Sequence, residues 1–101
     1  MIIKRWTGKR KPGFNELKSM LMEEGLDVSS FENDSGDVYE EHIHENDEII
    51  VIAKGQMKFA AKNKEEILGA GDRIELKAGT RHTAEVVGNE KVAALRGVKI
   101  D

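Results

Sequence analysis

Two stretches decide the fold: Gly36-Asp37-Val38-Tyr39-Glu40-Glu41-His42-Ile43-His44-Glu45-Asn46-Asp47-Glu48, closed by Gly55, and Gly71-Asp72-Arg73-Ile74-Glu75-Leu76-Lys77-Ala78-Gly79-Thr80-Arg81-His82. All the histidines of the chain stand in them. Side chains alternate across a strand with period 2, so a His-x-His pair turns both imidazoles to one face. The same alternation puts Val38 and Glu40 on the face of His42 and His44 and turns Tyr39, Glu41 and Ile43 away. After His82 it turns Ala84 and Val86 the same way. Glu48 and His82 complete a nitrogen and oxygen donor set of the kind that holds a divalent transition metal.

Outward from these stretches the chain reads as short strands between turns. Strands are expected over 28–32, 38–44, 48–53, 57–61, 65–68, 73–76, 82–87 and 92–100, with a further edge strand within 1–6. Turn residues separate them, among them Asp34-Ser35-Gly36, Lys62-Asn63-Lys64, Gly69-Ala70-Gly71-Asp72 and Gly88-Asn89-Glu90. Strands so spaced make a sandwich or a closed barrel rather than βαβ units, and the pattern leaves those two open. One helix is expected over 13–24. Phe14, Leu17, Met20 and Leu21 form its apolar stripe, and Gly25 stands where a helix C′ glycine belongs.

The two histidine stretches resemble the motifs of the cupin superfamily. Gly36, His42, His44, Glu48 and Gly55 meet every fixed position of the first motif. Gly71, Gly79 and His82 match the second, while Lys77 stands where proline is usual and Val86 where asparagine is usual. The resemblance implies an all-β double-stranded β-helix, or jelly-roll barrel, with one N-terminal α-helix, a small single-domain cupin. Residues 1–27 then form a strand and helix packed on the barrel of residues 28–101. It also implies one divalent transition metal ion per chain (Fe, Mn, Ni, Co, Cu or Zn) held by His42, His44, Glu48 and His82. A homodimer through open sheet edges is expected. Met57, Phe59 and Ile74 read as apolar fillers, and Arg73 as a solvent-facing residue.

Composition narrows the classes. The chain has 101 residues and no cysteine, which suits one domain without disulfides or thiolate ligands. No apolar run approaches the roughly 20 residues that span a bilayer, and Met1–Trp6 makes a poor signal peptide. A cytoplasmic protein without membrane partners is therefore expected. Residues 19–53 hold eleven Asp and Glu and no Lys or Arg, whereas the first eighteen hold six Lys and Arg and one Glu. The acidic stretch carries three of the four expected ligands and favours a cation there. A net charge of −3 and few aromatics argue against a nucleic-acid partner.

Three histidines and one carboxylate leave open positions on an octahedral ion, the mark of a catalytic rather than a structural site. The expected function is a metal-dependent enzyme, dioxygenase-like or an isomerase or lyase, acting on a small organic molecule inside the barrel. Glu40, by its parity, is the expected general acid or base. The alternative is a non-catalytic module that binds a small ligand or a metal.

Overall fold

Ile49-Ile50-Val51-Ile52 is apolar without alternation, the pattern of a strand covered on both faces, and these side chains are all buried. The computed structural model describes residues 1–99. In chain order its elements are β1 (Ile2–Lys4), α1 (Phe14–Glu23), β2 (Asp27–Asn33), β3 (Val38–His42), β4 (Glu48–Lys54), β5 (Gln56–Ala61), β6 (Lys64–Leu68), β7 (Arg73–Leu76), β8 (His82–Val87) and β9 (Val92–Val98). The expected strand over 92–100 thus ends at Val98, and residues 100 and 101 lie outside the described residues.

Every strand pair is antiparallel, in two sheets of order β1-β7-β4-β9-β2 and β3-β8-β5-β6. The fold is the expected jelly roll with one helix. Among the described residues no ladder joins the two sheets into a closed ring, so the barrel is two facing layers. Ile50, Ile52, Met57, Phe59, Leu68, Ile74, Ala84, Val86 and Val92 fill the space between them. At about 25 cal/mol per Å² of apolar surface removed from water, a layer of this size is the main source of stability. Met57, Phe59 and Ile74 take the filler positions expected of them.

The opposite face of β4 lies under α1. Leu17 and Leu21, four residues apart on one helix face, pack on Ile49, Val51 and Leu95. Only these two residues of the expected stripe are buried; Phe14 and Met20 are 40% and 47% exposed. Trp6, Leu26, Val28 and Ala53 pack against the flanks of the contact. The helix starts where the Gly13 N–H donates to Glu16 Oε1 at 3.2 Å.

The N-terminal segment is tied down by Asp72. Its Oδ1 accepts from the Trp6 N–H at 2.9 Å, and its Oδ2 accepts from the Gly69 N–H at 2.9 Å and from Arg5 Nη1 at 3.1 Å. Trp6 then lies across Gly71, where an added Cβ would stand 2.5 Å from Trp6 Cγ, on a backbone at φ +89°. Gly55 is fixed in the same way: at φ +81° its Cβ would meet the Lys91 carbonyl oxygen at 2.5 Å. Both positions need glycine for a left-handed backbone and a close approach.

Arg73 does not face open solvent. Its guanidinium donates to both carboxylate oxygens of Glu24, at the end of α1, and to Glu75 Oε2 at 3.0 Å. Parity alone puts it outside the sheet, but outside the sheet here means against the helix end. Among the described residues no helix is long and apolar enough to cross a membrane.

Candidate metal centre

Strict alternation along β3 fails at one point, and that point shapes the site. Tyr39 pairs with Ala84 and His42 with His82, three residues apart on β3 but two on β8, so a bulge lies between them. An extra residue in one strand shifts every side chain beyond it to the other face. Val38 therefore points outward and is 56% exposed, and Tyr39 turns inward to line the cavity. The shared face expected for Val38, Glu40, His42 and His44 is corrected accordingly. Glu40 sits on the bulge, exposed and outside the cavity lining. It meets the site through its backbone, whose carbonyl accepts a hydrogen bond from His42.

His42, His44 and His82 come together, with one nitrogen from each lying within 4.8 Å of the others. The ring centroids are 4.6 Å apart for His42 and His44, 4.3 Å for His42 and His82, and 5.3 Å for His44 and His82. Three different devices position them. His42 ends β3 just after the bulge. His82 starts β8 and is 4% exposed. His44 lies beyond the strand end, where its carbonyl accepts from the Gly79 N–H at 2.9 Å and so joins the two motif stretches.

The hydrogen bonds of the rings decide which nitrogen is free. His42 Nδ1 lies 2.7 Å from the Glu40 carbonyl oxygen, His82 Nδ1 2.9 Å from that of Thr80, and His44 Nδ1 2.8 Å from Glu48 Oε2. The two carbonyl partners only accept, so Nδ1 of His42 and of His82 carries the proton and Nε2 keeps the lone pair, while His44 Nδ1 stands in contact with the Glu48 carboxylate. Three imidazoles with one nitrogen of each within 4.8 Å of the others suit a Lewis acid, and the carbonyls behind His42 and His82 are the kind of back-side support that orients imidazole ligands. Burial holds the His44 pKa below its usual value. The charges of His42, Arg96 and His82 push the same way, while Glu48 pulls against them. His44 is thus kept neutral, the state that binds metal. The residues fit one divalent ion.

Glu48, 2% exposed, stands behind His44. Beside its 2.8 Å contact with His44 Nδ1, its carboxylate accepts from Arg96 Nε at 2.7 Å and Arg96 Nη2 at 3.1 Å, a two-point pairing. Its hydrogen bond to Arg96 raises the Arg96 pKa first of all, against burial, with the charges of Glu48 and Asp27 adding. Arg96 escapes a reading by motif. The signal present is one arginine in the apolar strand 92–98, in step with Val92 and Ala94, which face the core.

Before the trio lies a cavity of about 240 Å³. Phe31, Ile50, Met57, Phe59 and Ala84 make its apolar wall, and Ser29, Tyr39, Glu48 and Arg96 are its polar groups beside the histidines. The Tyr39 hydroxyl donates to Asn33 Oδ1 at 2.8 Å.

The model of the cupin domain family matches residues 31–96, which include all of these histidines. No curated protein matches the sequence. Solved structures do. KdgF from Halomonas sp. is 21% identical at a TM-score of 0.65, with 75% of this chain and 71% of that chain covered. A cupin superfamily protein from Desulfitobacterium hafniense is 15% identical at a TM-score of 0.66, with 99% of this chain and 77% of that chain covered. The DMSP lyase DddQ from Ruegeria pomeroyi is 26% identical at a TM-score of 0.67; 75% of this chain is covered, but it spans only 39% of that lyase.

Proposed function

The chain belongs to the cupin domain family, and from that premise we propose that it is a metal-dependent enzyme acting on a small organic molecule held in the cavity. Nε2 of His42, His44 and His82 would hold one Fe, Mn, Ni, Co, Cu or Zn ion per chain. The observation that carries this reading is the cluster of three imidazoles, one nitrogen of each within 4.8 Å of the others, with Nδ1 of His42 and His82 turned to backbone carbonyls and that of His44 to Glu48. Glu48 is taken as the acceptor that orients His44. For Glu48 to become a fourth donor, it would have to leave its place beside His44 Nδ1. These three histidines line the cavity, so the ion would supply Lewis-acid or redox chemistry to a molecule bound there. The apolar wall excludes water there, and Tyr39, Ser29 and Arg96 position the substrate.

Two chemistries fit. Oxidation of the dioxygenase type is favoured by the sparse polar lining. Elimination or isomerisation is favoured by the likeness to a DMSP lyase. The expected homodimer belongs to the same proposal, since β2 and β3 leave one edge of each sheet open. So does a cytoplasmic location.

The test is elemental analysis of protein purified without chelator, alongside His42→Ala and His82→Ala. About one ion per chain is expected in the parent, lost in both variants while circular dichroism is unchanged. Oxygen uptake and lyase assays on the loaded protein then separate the two chemistries. Full metal in either variant, or none in the parent after reconstitution, overturns the site and leaves a non-catalytic binding module.

A further inference from the structure

We propose that Arg96 anchors an anionic group of the substrate, so that the cavity takes small organic acids with one end at the histidine trio and a carboxylate at the guanidinium. The inference deepens the proposed function and rests on it for the position of the metal.

Arg96 lies on the inner face of β9, between Ser29 of β2 and Ile50 of β4, its register partners. Glu48 takes its Nε and Nη2, while Nη1 has no partner among the described residues. The exposures of the pair differ: the Glu48 side chain is 2% exposed and that of Arg96 39%. The carboxylate is therefore spent inside the wall, and the remaining edge of the guanidinium opens on the cavity that Arg96 lines. Ser29, beside it on the same lining, makes no side-chain hydrogen bond among the described residues and offers a second donor.

The hold by Glu48 fixes the guanidinium plane in advance, and a planar fork with a free N–H edge matches a carboxylate. Elsewhere the lining toward β5 and β8 is apolar. A neutral substrate that filled this space would bury Nη1 without an acceptor, which is costly for a charged donor. Glu48 touches both His44 Nδ1 and Arg96, so one carboxylate links the anchor to the trio. The cavity is also smaller than the 300–1,000 Å³ usual for drug-sized ligands, which limits the acid to a few carbons.

The probe is 3-mercaptopropionate against its amide, 3-mercaptopropanamide, on Co(II)-loaded protein. The thiol fixes one end on the ion in both, so the difference reads the tail alone. Affinity is followed by the Co(II) absorption bands. The acid is expected to bind about 10-fold or more tightly than the amide, and Arg96→Gln is expected to erase the difference when both proteins are compared at saturating Co(II). An acid preference that survives in Arg96→Gln, or no preference in the parent, overturns the proposal.

Should Arg96→Gln fail to fold, the side-chain ¹⁵N resonance of Arg96 in Zn(II)-loaded parent protein reads the same contact. It should move with the acid and stay with the amide, and the opposite refutes the anchor. If the protein takes up no metal, the proposed function fails separately. Propionate against propionamide on the metal-free protein then reads the anchor by the same resonance, where a shift with propionate alone supports it and none overturns it.

Discussion

Glu48→Gln separates support of a ligand from ligation itself. The Glu48 carboxylate accepts two hydrogen bonds from Arg96, at 2.7 and 3.1 Å, and lies 2.8 Å from His44 Nδ1. The amide keeps one oxygen and turns an NH₂ toward a donor, so one side must go unpaired. Hydrogen bonds to charged groups contribute about 1.5–3 kcal/mol each. They do not add, and water reaches the half-exposed Arg96, so a net loss of about 2 kcal/mol is expected. In a domain of this size that lowers the melting temperature by roughly 10 °C. Loss of a partner behind a metal-bound histidine weakens metal binding about 10–100-fold. Competition with a chelator of known affinity measures that change, and calorimetry the stability. Glu48→Leu with Arg96→Met should regain most of the stability, since an apolar pair replaces the ionic one, yet keep the weakened metal binding. Metal loss in Glu48→Gln as complete as in His42→Ala would refute the reasoning and make Glu48 a direct donor. Unchanged affinity would remove its role altogether.

Asp72→Asn should cost about 1–2 kcal/mol at pH 7 by weakening the hold on Trp6, Gly69 and Arg5. Burial raises the Asp72 pKa, but the Gly69 and Trp6 N–H groups and Arg5 together outweigh it, and the net shift is downward. A lowered carboxyl pKa gives stability that is present above the unfolded value near 4 and lost as pH falls through the folded one. The gap between parent and variant in urea melts should therefore shrink below about pH 4, and a gap constant with pH would count against the assignment. Gly71→Ala should destabilise by roughly 1–3 kcal/mol and change Trp6 fluorescence, because the added methyl meets the indole on a left-handed backbone. A variant with parental melting and fluorescence would show that Trp6 does not lie there.

Much of the fold was legible because its signals are local. The histidine spacing, the turn glycines and the unalternating run of β4 each report on neighbours a few residues away. The bulge in β3 was not, since Val38-Tyr39-Glu40-Glu41 reads as plain alternation and only pairing with β8 exposes the extra residue. That one residue exchanges Tyr39 for Glu40 in the lining. Arg96 was hidden for a related reason: its meaning comes from Glu48, which is distant in sequence and adjacent only once β4 and β9 pair. The narrow contact of α1 was hidden as well, because Phe14 and Met20 keep helical spacing, and spacing alone does not show which stripe residues the sheet covers.

Strand β4 belongs to two compartments at once. Ile50 and Ile52 face the cavity layer, Ile49 and Val51 face α1, and Glu48 begins the strand. Its amides cannot exchange with solvent by loosening one layer alone. They are expected to exchange only through the largest openings of the domain. Occupancy of the histidine trio should then slow deuterium uptake in α1 as well, although no residue of the helix lines the cavity. A helix on the outer surface would thus report, by its exchange rate, whether the interior is filled.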